Sequence, residues 1–169
     1  MVLTKPELVA ALQHEVRILV HLASKIEPSM IDYRPTPKQR STLELLKYLT
    51  NMGPGLIRAA KTGTFDREAW AAADQTAQAR NFDQTVAALA EQGQIYATLL
   101  GDMTDADFRG EIEMFGRTTT RGAFIVNMVL GGHAAYRTQL FCYLKACGRD
   151  ELSTMNLWAG MDAPAPAAV

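Results

Sequence analysis

The segment "TKPELVAALQHEVRILVHLASKIEP" constrains the fold most. Leu8, Leu12, Val16, Leu19, Ala23 and Ile26 recur at steps of three and four, which places them on one face of a helix. Thr4 followed three residues later by Glu7 forms a capping box, and Pro6 is tolerated in the first turn. Pro28 ends the helix near Glu27. A helix with one apolar stripe needs partners to cover that stripe.

The rest of the chain supplies them. "EPSMIDYRPTPKQR" holds three prolines and reads as a long loop. "STLE" opens a second helix, with Ser41 as cap and Glu44 as its reciprocal partner. Leu43, Leu46, Leu49 and Ile57 supply its stripe, and "GPG" at Gly53 to Gly55 is expected to kink or break it. "TFDREAWAAADQ" reads as a short helix. "DQTVAALAEQGQIYATLL" is a third long helix, whose inner face is marked by Phe82, Val86, Leu89, Gly93, Tyr96 and Leu100. "FRGEIEMFGRTTT" suits a brief strand or extended arm. A fourth long helix is expected from about Thr119 to Cys147, with Gly148 as its terminator and Phe124, Met128, Leu140, Phe141 and Leu144 in the core. The expectation is an all-α, antiparallel four-helix bundle with a long crossover loop between helices 1 and 2. It forms a single domain over residues 1–160, and "APAPAAV" falls in a disordered tail at 161–169.

The chain has 169 residues and a net charge of −1, which gives no electrostatic case for nucleic acid or an anionic membrane. No apolar run approaches a membrane span, and "MVLTKPELVA" lacks the pattern of a signal peptide. Cys142 and Cys147 lie five apart on one helix, where their side chains diverge, so no disulfide is expected and Cys142 reads as buried core. A cytoplasmic protein follows. No phosphate loop, nucleophile elbow or H-E-x-x-H stands out.

"IDYRPTPKQRSTLELLKYLTNM" resembles the helix 1 to helix 2 region of the DinB/YfiT-like superfamily, in which a "YRP" loop precedes S-x-x-E-L-L-x-H-L. "MTDADFRGEIEMFGRTTTRG" followed by "HAAYRTQLFCYLKACG" resembles that family's closing helix, H-x-x-x-H-R-x-Q-L. The resemblance implies a four-helix bundle, a homodimer, and often nickel or zinc held by three histidines. Some relatives are thiol transferases. At the three ligand positions this chain carries Tyr48, Gly132 and Tyr136, and Arg137, Gln139 and Leu140 follow in the family order.

His133 is one residue away from a ligand position, and one residue rotates a helical side chain by about 100°. Tyrosine is a poor ligand for a divalent ion, because its phenol ionises only near a pKa of about 10. The metal site is therefore expected to be degenerate and to hold no cofactor. The candidate pocket is Tyr48, His133, Tyr136, Arg137 and Gln139. His133 either packs and hydrogen bonds with Tyr136 and Tyr48, or recruits a shifted metal together with a helix 1 histidine. His14 and His21 read as surface or groove-edge residues. Arg137 and Gln139 either bridge helices or orient an anionic ligand. Gly131 and Gly132 suggest close packing against Tyr48 or Tyr96. The expected function is a metal-free binding or stress-related role, with a small-molecule ligand possible. The alternatives are a metal-dependent hydrolase or thiol transferase built on a non-standard site that includes His133, and an interaction module whose dimer is its product.

Overall fold

A computed structural model describes residues 3–164. Helix α1 (Lys5–Ala23) starts at the Thr4–Glu7 capping box, with both reciprocal bonds formed. Helix α2 (Thr42–Thr62) starts at the matching Ser41–Glu44 box. Between them the proline-rich loop makes one short 3-10 turn, Pro28–Met30. The third long helix is divided into α4 (Phe82–Ala90) and α5 (Gln92–Gly101), preceded by the shorter α3 (Arg67–Gln78). A small helix α6 (Asp105–Arg109) leads into a two-stranded antiparallel hairpin, β1 (Glu111–Met114) and β2 (Arg117–Thr120), with Met114 opposite Arg117. The closing helix is composite: α7 (Arg121–Phe124), a π-helical stretch (Ile125–Leu130), and α8 (Gly131–Ala146). Gly148 follows it with φ 93°, the left-handed terminator that glycine favours. Helices α1, α2, α4–α5 and the π–α8 helix form the expected four-helix bundle around one core.

Two sequence expectations need correction on the helices. "GPG" does not break α2. Pro54 sits inside a continuous helix, and both flanking glycines are clearance for aromatic side chains from other elements. A Cβ at Gly53 would lie 1.9 Å from Tyr96 Oη, and one at Gly55 would lie 2.8 Å from the Trp70 ring. Met128 is not core but 41% exposed. The buried face of the closing helix runs Ile125, Val129, His133, Arg137, Leu140, Leu144. Its steps of four pass through the wider π turn, so a 3.6-residue count lands one position off.

Cys142 is exposed, one position before the buried Tyr143 and Leu144, and both cysteines are free. Phe141 is half-buried. On α4–α5 the buried ridge is Thr85, Leu89, Gln92, Tyr96 and Leu100, while Phe82, Val86 and Gly93 form its half-buried edge.

Two features were not anticipated. Helix α9 (Thr154–Trp158) packs against α1 and α8, capped by Ser153 and Asn156. Beyond it, within the segment expected to be disordered, Asp162 contacts Lys25 at 2.7 Å and Asn156 at 2.9 Å; residues 165–169 lie outside the described residues. The hairpin tip puts Phe115 at φ 53° and Gly116 at φ 75°, the positive pair that a two-residue hairpin turn demands. Phenylalanine is strained there, at a cost on the order of 1 kcal/mol. Its ring packs on Phe65 (5.4 Å) and Phe124 (6.1 Å), which offsets the strain.

Candidate functional site

The five candidate pocket residues do not converge. They separate into three groups with different partners.

The first group is aromatic. Tyr48 on α2 and Tyr136 on α8 pack edge to face with centroids 5.3 Å apart. Trp70 on α3 meets Tyr48 at 6.4 Å, and the Arg40 guanidinium lies 3.9 Å over the Tyr48 ring. Burial, together with the neighbouring Tyr136 hydroxyl, pushes the Tyr48 phenol up to about 12. It is neutral at physiological pH. The third position, Gly132, faces Met52, whose Cε would lie 3.2 Å from an added Cβ. These positions therefore offer two phenols and no imidazole, with a fixed positive charge against one of the rings. That donor set does not fit a divalent metal ion. Among the described residues no cluster of three or more histidine, cysteine or carboxylate side chains is placed to hold one.

The second group is a buried polar chain around His133, which is 0% exposed. Its Nε2 lies 2.6 Å from Tyr96 Oη, and Tyr96 Oη donates to Gln92 Oε1 at 2.8 Å. Gln92 Nε2 in turn donates to the Leu49 carbonyl at 2.7 Å. The direction of the chain follows from its end. A carbonyl only accepts, so the Gln92 amide must face Leu49 and its oxygen must face Tyr96. Tyr96 then spends its only hydrogen on Gln92 and accepts from His133 Nε2–H. Burial holds His133 down at about 4, so the ring is neutral, and its bare Nδ1 is a buried acceptor with no partner among the described residues. His133 thus pairs with Tyr96 on α5 rather than with Tyr48 or Tyr136. Its reach to α2 is permitted by Gly53, where a Cβ would also stand 3.0 Å from Nε2. His14 and His21 do not join it. Each borders α9: His14 Nε2 is 3.0 Å from the Trp158 carbonyl, and His21 Nε2 is 3.0 Å from Asn156 Nδ2.

The third group ties the chain's last helix to the bundle. Arg137 Nε meets Glu15 Oε2 at 3.0 Å, as an ion contact rather than an aligned hydrogen bond. Its Nη1 donates to the Leu157 carbonyl at 2.6 Å, and its guanidinium lies 4.7 Å from the Trp158 ring centre. Burial raises the Glu15 pKa against the lowering pull of Arg137. Gln139 Nε2 donates to the Tyr143 hydroxyl, which donates to the Arg40 carbonyl in the crossover loop. Both residues are occupied in holding elements together.

Sequence reasoning missed Gln92, Trp70 and Arg40. Gln92 carried a signal: a polar side chain on the ridge between Leu89 and Tyr96 must find a buried partner. Trp70 and Arg40 carried none, because each meets its partner across separate elements.

A four-helix bundle closed by a composite helix, with a short hairpin before it, defines the class of protein. The comparison with solved structures makes it more particular. The chain is similar to a DinB-like protein of Bacillus subtilis, YjoA, with a TM-score of 0.66 at 20% identity, over 86% of this chain and 94% of that one. The DinB-like fold implied by the sequence resemblance is therefore the fold observed. No protein-family model matches the chain, and no curated protein matches its sequence.

Proposed function

We propose that this chain is a member of the DinB/YfiT-like superfamily that works without a metal, as a binding protein rather than a metal-dependent enzyme. One observation carries the proposal: the Tyr48–Tyr136 pair is 5.3 Å apart, with Arg40 3.9 Å over Tyr48, at two of the positions where the family resemblance implies metal ligands. A divalent ion there would meet a neutral phenol and a guanidinium in place of imidazoles. The reading that gives His133 a metal is weaker, because its Nε2 is spent on Tyr96 and its ring is sealed from solvent.

The proposal extends to a cytoplasmic homodimer. Among the described residues no helix is long and apolar enough to cross a membrane. Exposed Phe115 and Met128 leave apolar surface near the hairpin that a second copy would cover. The test is elemental analysis of untagged, freshly purified protein. Metal far below one ion per chain is expected. Near-stoichiometric nickel, zinc or iron would overturn the proposal.

A further inference from the structure

Two cavities flank α2, and their linings differ in character. The first, about 210 Å³, lies between α2 and α3 and is walled by Phe65, Trp70, Ala59 and Ala69. Its one acidic lining residue, Asp66, spends Oδ1 on the Ala69 N–H as the α3 cap. The second, about 280 Å³, is lined by Thr50, Asn51, Thr76, Arg80 and Ile95, with no carboxylate. Asn51, Arg58 and Ala73 belong to both linings and form a common wall. Together the cavities reach the size of small-molecule sites, which run from about 300 Å³ upward.

The charges in this region are not neutralised by the protein. Arg58 and Arg80 make no ion pair with a carboxylate among the described residues, whereas Arg34, Arg137 and Arg149 each do. Arg80 is steadied by Nη1 donating to Thr50 Oγ1 at 3.0 Å. Asn51, nearly fully buried, donates Nδ2 to the Trp70 carbonyl at 3.3 Å, which ties the polar wall to the aromatic one. Gly55 completes the arrangement, since any Cβ there would displace the Trp70 ring from its seat.

We propose that the two cavities together form a binding site for a small amphiphilic carboxylate, with its aromatic or apolar ring against Trp70 and Phe65 and its carboxylate between Arg58 and Arg80. The guanidinium fork suits a planar carboxylate. A ring in the first cavity meets carbon on several sides and keeps its charge away from Asp66. The inference deepens the binding function proposed above and rests on it.

The chain has two tryptophans, Trp70 and Trp158, so Trp158→Phe leaves Trp70 as the single reporter. That protein is titrated with phenylacetate, with neutral phenylacetamide and with ring-less acetate, following Trp70 fluorescence and its indole N–H resonance. Saturable change with phenylacetate is expected, with phenylacetamide and acetate each at least about ten-fold weaker. Arg58→Gln, at an exposed position, should fold normally and weaken phenylacetate by about ten-fold while leaving phenylacetamide unchanged. No saturable response, equal binding of acid and amide, or an unaffected Arg58→Gln protein would each overturn the site. Metal content and the Trp70 titration fail independently: a metal-loaded protein defeats the metal-free function, and a silent Trp70 in metal-free protein defeats only this site.

Discussion

Gly53→Ala sets two principles against each other with opposite signs. Gly53 lies inside α2, where alanine is the better helix former by about 1 kcal/mol. On propensity alone the variant is more stable. The structure predicts the reverse. The new Cβ would stand 1.9 Å from Tyr96 Oη, 2.8 Å from Tyr96 Cζ and 3.0 Å from His133 Nε2. Tyr96 is a fully buried rigid ring, so it cannot swing aside as a flexible chain end would. Overpacking of this kind costs about 1–3 kcal/mol. Displacing Tyr96 Oη also strands Gln92 and His133, and each unsatisfied buried group costs about 1–3 kcal/mol. Less the propensity gain, a net loss of at least about 2 kcal/mol follows, a large part of the stability of a typical domain. With a urea slope of about 2 kcal/mol/M, the unfolding midpoint falls by at least about 1 M. Gly101→Ala is the control: nothing lies within 4 Å of its added Cβ, and it should be neutral or slightly stabilising. Tyr96→Phe removes the nearest atom, so in that background the Gly53→Ala cost should shrink by about 1 kcal/mol. A Gly53→Ala protein as stable as the parent would refute the clearance argument and, with it, the close seating of the His133 chain on α2.

Three further outcomes are expected. His133 has its pKa lowered by burial, from an ordinary value near 6.5 to about 4, so it is neutral in the fold while the unfolded chain takes up a proton. Its contribution to stability is present above about pH 6.5 and is lost as pH falls through about 4, by about 3 kcal/mol over the window. Urea titrations at several pH values should show that loss, and His133→Gln should flatten it; parallel pH profiles would count against the assignment. The triple variant Tyr48→His, Gly132→His, Tyr136→His should gain nickel or zinc binding by calorimetry, since the Met52 Cε near position 132 is a flexible end that can yield; a folded triple variant that binds neither metal would place the ligand positions elsewhere. Sedimentation at micromolar concentration should give the mass of a dimer, and a monomer would remove the homodimer from the proposed function.

How legible these features were in the sequence follows from the range of the chemistry behind them. The Thr4–Glu7 and Ser41–Glu44 caps could be read directly, because a capping box is closed within four residues. The hairpin was readable as an extended arm but not as a turn, since Phe115 is a residue that a local rule would exclude from φ 53°. "GPG" was misread for a related reason. Local rules price glycine and proline against an isolated helix, whereas here two aromatic side chains from α5 and α3 occupy the space that the missing Cβ atoms leave. Met128 was misplaced because a π stretch carries no composition signal of its own. Helix α9 is five residues long and could not stand alone; Arg137, from α8, holds its Leu157 carbonyl.

The same distinction explains why His133 drew attention for the wrong partner. An isolated histidine on an inner helical face is as consistent with a metal site as with a polar contact, and only the opposing helix decides between them. Here that helix presents Tyr96 and Gln92, and the bond directions run to a backbone carbonyl of a third helix. The chain therefore links α2, α5 and α8 through groups that must all be satisfied together, and any slip of one helix by a single residue would strand at least two of them. Such a chain selects one register of the bundle. Its costs are the bare Nδ1 of His133 and the helix propensity given up at Gly53. Two residues further along α2, Gly55 makes the same concession for Trp70, on the side that faces the cavities. The centre of α2 is thus shaped twice, once to fix the packing of the bundle and once to seat an aromatic wall. The aromatic wall seated by the second concession lines a cavity, whereas the His133 chain is sealed in the core, which is why the search for a ligand belongs at Trp70 and Arg58 and not at His133.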